Sequence, residues 1–136
     1  MMRYRQLERK DREAGGILLG RMIENSSDVI IDEITVPSVH DMRSRFSFFR
    51  SKCTQKTINA RWQTSQHTRN YLGEWHTHPE AHPSPSSTDL KNWQKILNRG
   101  VFDQDFLIFI IVGQVTISAW ELRKGDAMPT QLRQAD

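Results

Sequence analysis

The chain has 136 residues, 37% of them apolar and 26% charged, with a net charge of +3 and one cysteine. That length and balance fit a single globular domain over 1–136 with a core that needs no disulfide, and they exclude a disordered chain. Cys53 has no partner for an internal disulfide, MMRYRQLERKDRE lacks an apolar signal segment, and the apolar run around 106–112 is too short to span a bilayer, so a cytoplasmic protein with no membrane partner is expected.

Residues 2 to about 13 are rich in helix formers and predict a first helix. Its Arg3, Arg5, Arg9, Lys10 and Arg12 are offset by Glu8, Asp11 and Glu13, which gives a solvated surface. Nucleic-acid binding requires a concentrated basic face with aromatics, so no nucleic-acid partner is expected. Gly15-Gly16 ends this helix, and Ile17 to Gly20 begins a buried strand. Asp28 to Val36 is β-branched and predicts the next strand, stopped by Pro37. A short third strand is placed at Phe46 to Phe49, after a loop over 37–45. From about Thr54 to Thr68 the pattern is helical, with Ile58 and Trp62 on one face.

Tyr71 to His76 predicts a central strand running into a Pro- and Ser-rich loop, His78 to Ser87. Thr88 to Asn98 follows as a helix with Leu90, Trp93, Ile96 and Leu97 facing inward. Two last strands, 105–113 and 115–123, join at a tight turn near Gly113-Gln114, and the tail after about residue 125 has no pattern. This order predicts a mixed sheet flanked by helices, an α/β or α+β layered domain. All four tryptophans are expected in the core, with Trp75 facing away from His76, and Cys53 is expected to be a small buried hydrophobe.

The chemistry lies in residues 73–93, GEWHTHPEAHPSPSSTDLKNW. His76 and His78 sit two apart at a strand end, where side chains at i and i+2 share a face and can reach one ion. Asp89, in the first turn of the following helix, can close the site from the other side. Two histidines and one carboxylate leave a fourth tetrahedral position for water, the pattern of catalytic zinc. Each part has a duller reading. Ser86 and Asp89 also form a capping box, and a lone His-x-His in a loop is weak by itself. His82, between Pro79 and Pro83, is a loop residue, and His40 and His67 carry no pattern.

Taken together, Glu13 within EAGGILLG, His76-Thr77-His78-Pro79 and Ser86-Ser87-Thr88-Asp89, with ten residues between His78 and Asp89, resemble the JAMM motif of the MPN-plus (JAB) zinc metallopeptidases. The resemblance covers nearly the whole chain. It implies the MPN/JAB, cytidine-deaminase-like architecture, with Zn2+ held by His76, His78 and Asp89. It implies Glu13 as the general base that takes a proton from water and passes it to the leaving amine, and Ser86 as a hydrogen-bond donor to the oxyanion.

GEWHTHPE, PSPSSTDLKNW and EAGGILLG are similar to the bacterial JAMM peptidases of CBASS anti-phage operons and integrative elements. These reverse a ubiquitin-like conjugation of a cGAS-like nucleotidyltransferase through its C-terminus. The implied partner is thus a protein conjugate, the C-terminal tail of a nucleotidyltransferase or of a ubiquitin-like protein. A peptidase processing sulfur-carrier or other β-grasp proteins is the alternative, and a non-catalytic MPN scaffold would typically have lost part of the motif. Two features depart from the family. Members usually place a strand before the first helix, whereas twelve residues precede Glu13 here. The loops over 37–45 and 99–105 also leave little room for insertions that grip polyubiquitin.

Overall fold

In a computed structural model describing residues 1–136, the elements run β1 (Gly15–Met22), β2 (Val29–Ile34), β3 (Met42–Arg43), β4 (Phe48–Phe49), α1 (Thr54–Thr64), β5 (Asn70–Thr77), α2 (Ser87–Arg99), β6 (Phe106–Val112), β7 (Ile117–Arg123) and β8 (Thr130–Leu132). Six strands form one sheet in the order β2-β1-β5-β6-β7-β8, and β3 pairs with β4 in a separate two-stranded hairpin. Only β5 and β6 are parallel. The chain between them crosses over through α2, whereas β1–β2 and β6–β7 turn back directly and pair antiparallel. The expected mixed sheet flanked by helices is the architecture found. No helix is long and apolar enough to cross a membrane.

The continuous apolar run of β6, FLIFIIV, reflects burial on both faces of the sheet. Phe106, Ile108 and Val112 join Leu18, Leu72 and Trp75 on one face. Leu107, Phe109 and Ile111 meet Trp93 and Leu97 of α2 with Trp120 and Leu122 of β7 on the other. There Trp93 stacks on Phe109 with ring centroids 4.4 Å apart. The first face is capped by the N-terminus, where Met1 and Tyr4 pack on the core.

The predicted N-terminal helix is not formed. Only Met2–Tyr4 make a 3-10 turn, and the chain then runs without regular structure into β1. Tertiary bonds outcompete local helix propensity here. The Gln6 side chain is fully buried, where its amide donates to the carbonyls of Asp11 at 3.2 Å and Arg45 at 2.6 Å. Gly15 and Gly16 lie within β1 and do not end a helix. A Cβ on Gly15 would lie 2.6 Å from the Trp75 carbonyl and 2.7 Å from the Phe48 ring, so the missing side chain lets the hairpin lie against the strand.

Other differences are smaller. Residues 42–43, expected in a loop, supply β3, and the third predicted strand narrows to β4. α1 stops at Thr64 because Gln66 and His67 take left-handed φ values of 57° and 65°, and the His67 ring stacks on Trp62 at 3.9 Å. No α1 residue is buried, and Trp62 is 40% exposed, so three tryptophans rather than four form the core. Cys53 is exposed just ahead of α1 and is not a buried hydrophobe. In the tail, Thr130–Leu132 pairs with β7 along the sheet edge.

One irregularity sets the sidedness of the site. Along β5, Leu18 pairs with Gly73 and Leu19 with Tyr71, so Leu72 is an extra residue in a β-bulge. Gly73 has a φ of 146°, and a Cβ there would run into the Ile108 carbonyl. The bulge puts Tyr71 and Glu74 on one face, where the Tyr71 hydroxyl donates to the Glu74 carboxylate at 3.1 Å. His76 follows on that face, its ring 6.5 Å from that of Trp93. Trp75 points into the opposite core, as expected.

Candidate metal centre and active-site cleft

Three elements bring the candidate residues together. His76 lies in the last turn of the pleat of β5 and His78 just beyond its end, so both imidazoles point to the α2 side and their Nε2 atoms approach to 3.0 Å. Asp89 enters from α2. Its carboxylate lies 3.2 Å from His76 Nε2 and 3.1 Å from His78 Nε2. The three donor atoms lie within 4.8 Å of one another. Asp89 also completes the capping box. The Ser86 hydroxyl accepts from the Asp89 N–H at 3.1 Å, and the Asp89 carboxylate accepts from the Ser86 N–H at 2.8 Å. The cap and the cluster are therefore one arrangement, in which helix initiation fixes the carboxylate that faces the histidines.

Glu13 reaches the cluster from the strand next door. β1 runs antiparallel to β5, with Gly15 opposite His76, and the Ala14 carbonyl accepts from the Thr77 N–H at 2.8 Å. The residue before Ala14 is thereby set beside His78. Its backbone is held by the β3–β4 hairpin, since the Glu13 N–H donates to the Ser44 carbonyl at 2.6 Å and the Arg43 guanidinium donates to the Glu13 carbonyl at 2.8 Å.

The side chain of Glu13 faces a cavity of about 420 Å³ shared with His78, Ser86, Asp89 and Phe46. It also faces an adjoining one of about 330 Å³ shared with His76, Asp89 and Asn92. One wall of this cleft is the hairpin and the other is α2. All five residues singled out in the sequence lie here. His82 does not, its ring meeting Thr116 at 3.2 Å outside the cluster.

The charges are strongly perturbed. Burial pushes the Glu13 carboxyl from 4.5 up to about 7, a push that Asp89 reinforces and His76 and His78 oppose. Burial acts in the same direction on Asp89, but its hydrogen bonds with His76 and His78 outweigh that and hold it well below the usual carboxylate range. His78 is lowered by burial, yet raised overall by its bond to Asp89 and by the charges of Glu13 and Glu80.

Two imidazole nitrogens and a carboxylate oxygen, converging on one point in a cleft, fit a zinc ion with an open coordination position. The buried Nδ1 of His78 makes no hydrogen bond. The Glu80 carboxylate lies 3.6 Å away, on the side where an outer carboxylate orients a ligating imidazole.

Several supporting residues carry no signal in the sequence. Thr77, between the two histidines, points the opposite way and is fully buried. Its hydroxyl accepts from the Ala14 N–H at 3.0 Å and donates to the Gln6 carbonyl oxygen of the side chain at 2.9 Å. Gln6 thus ties the strand carrying the histidines to the segment carrying Glu13 and, through Arg45, to the hairpin wall. Alternation in HTH could have shown Thr77 facing inward. Gln6 could not be found, because its partners are remote in the chain.

A family profile described as prokaryotic homologs of the JAB domain matches residues 1–123. A Pseudomonas aeruginosa protein named CD-NTase/cGAS isopeptidase is 42% identical over 92 residues, 67% of this chain, and the match spans 57% of that protein's length. Proteins of the same name from Vibrio cholerae and Escherichia coli are 33% and 35% identical, over 84% and 90% of this chain and 70% and 76% of theirs. Among solved structures, a Desulfitobacterium hafniense protein matches with a TM-score of 0.50 and 21% identity, covering 97% of this chain and 82% of that one. At that identity the likeness is one of fold.

Proposed function

Because the chain belongs to the family of prokaryotic JAB-domain homologues, we propose that it is a zinc-dependent isopeptidase, cutting the bond after the C-terminus of a donor protein. The observation that carries this reading is the convergence of Glu13, His76, His78, Asp89 and Ser86 on one cleft. His76 and His78 would hold zinc through Nε2, and Asp89 through its carboxylate. Bound there, zinc supplies a Lewis acid for the scissile carbonyl and lowers the pKa of water to near 7.

Glu13 stands beside this centre and is not a ligand. In the metal-free chain burial raises its carboxyl to about 7; beside the bound ion it would take a proton from water and return it to the leaving amine. The Ser86 hydroxyl accepts from the Asp89 N–H and keeps its own proton to donate to an oxyanion.

The donor is the C-terminal tail of a cGAS-like nucleotidyltransferase, released from its targets in anti-phage defence. The names carried by the relatives support this choice. The test joins metal analysis to cleavage of a fusion between that C-terminus and a reporter, comparing the wild type with Glu13→Ala. About one zinc per chain and a single cut at the donor terminus, lost with chelator and with Glu13→Ala, are expected. If only a sulfur-carrier or ubiquitin-like fusion is cut, the donor is wrong and the enzyme class stands. If no fusion is cut by the zinc-loaded protein, the isopeptidase reading falls.

A further inference from the structure

The cleft does not end at the histidines. The cavity over His76 shares Arg50 and Ile96 with a third, of about 240 Å³, lined by Ile58, Tyr71 and Phe102. The two cavities lie one after the other along α2 away from the metal centre, a groove divided by these shared side chains, and its charge changes along the way. Glu13 and Asp89 occupy the near end. Beyond them the one carboxylate, Glu74, is neutralised by Arg50 at 2.8 Å. Lys95 and Arg99 then project from α2 into the groove, both exposed and neither in an ion pair. No acidic side chain lines the 240 Å³ cavity. An apolar floor with an unmatched cationic rim complements an extended peptide with carboxylate side chains.

Resting on the isopeptidase reading above, we propose that this groove selects donor tails that are acidic at the third and fifth residues before the cut. The spacing comes from the helix. Lys95 and Arg99 stand six and ten residues beyond Asp89, about 9 and 15 Å along α2 at 1.5 Å per residue. An extended tail advances about 3.3 Å per residue, which places roughly its third and fifth side chains beside them, both on one face of the tail.

The test uses the zinc-loaded chain and fluorescein-labelled ten-residue peptides ending in Gly-Gly. The third and fifth residues from the C-terminus are Glu in one peptide, Gln in the second and Lys in the third. Fluorescence anisotropy at low salt should give about tenfold tighter binding for Glu than for Gln, and weaker binding still for Lys. Both cations are exposed, so the double variant Lys95→Glu, Arg99→Glu should stay folded by circular dichroism and bind the Lys peptide best. Equal affinities for the three peptides, or an unchanged order in the double variant, would overturn the proposal. So would a short oligonucleotide displacing the Glu peptide at matched concentration, since the groove would then be a general polyanion site. Failure of the isopeptidase reading shows separately, as no cleavage of any fusion while the preference for Glu persists.

Discussion

Replacing Gln6 by Met keeps the volume of a fully buried side chain and removes its hydrogen bonds. Three partners lose their mate: the Asp11 carbonyl at 3.2 Å, the Arg45 carbonyl at 2.6 Å and the Thr77 hydroxyl at 2.9 Å. An unsatisfied buried partner costs about 1–3 kcal/mol. Asp11 and Arg45 are only partly buried and water can reach them, so the low end applies and the sum is about 3 kcal/mol. That is a large share of a typical domain stability of roughly 5–15 kcal/mol, yet it leaves the fold populated. Urea unfolding followed by circular dichroism in chelator would measure it, with the slope unchanged from wild type.

A second effect follows from position. Asp11 is two residues from Glu13, and no metal-facing atom bonds to Gln6. Zinc content should stay near one per chain while turnover of a cleaved fusion falls by about 100-fold, the order expected for a base displaced by an ångström. A stability loss below about 1 kcal/mol, or full turnover in the folded variant, would refute the role given to Gln6.

In chelated protein the Glu13 carboxyl is raised from 4.5 to about 7, so the protonated form is favoured by folding, and that contribution is complete below 4.5 and lost as pH rises through 7. Unfolding at several pH values should therefore show Glu13→Gln matching wild type near pH 4.5 and exceeding it by up to about 3 kcal/mol at pH 8. Ser86→Ala removes the helix cap and the free hydroxyl proton together. It should lower stability by about 1 kcal/mol, measured by urea unfolding, and turnover by about 100-fold. Trp93, 3% exposed, and Trp62, 40% exposed, should differ sharply in thermal and urea unfolding, with Trp93→Ala costing about 3–5 kcal/mol and Trp62→Ala under about 1 kcal/mol.

Where the physics is local, the sequence is a good guide. The convergence of the two histidines and Asp89 is legible because strand alternation and a helix cap act over a few residues. For the same reason the helix expected at Thr88 to Asn98 forms as Ser87–Arg99. The apolar run of β6 and its return in β7 were equally plain. The N-terminal segment misleads because RQLERKDRE favours a helix in isolation, while Gln6 finds its partners at Arg45 and Thr77. The hairpin that walls the cleft has strands of two residues each, too short for any period to show. β8 is exposed at all three positions, so it lacks the one-sided burial that marks a strand. Glu13 lines the cleft where its place in the motif implies, although the helix expected to carry it does not form.

The bulge at Leu72 and Gly73 has a further consequence. In β5 the side on which a residue lands is counted out by the backbone and owes nothing to the chemistry of its side chain. A strand that kept every residue but paired without the bulge would resume the other beat. Closing the bulge with Leu72 retained would leave both histidines, all three prolines of the loop and the carboxylate of α2 unchanged in type. It would nevertheless turn the imidazoles towards the hydrophobic layer beneath Tyr4, where Trp75 now lies, and leave Asp89 facing an indole.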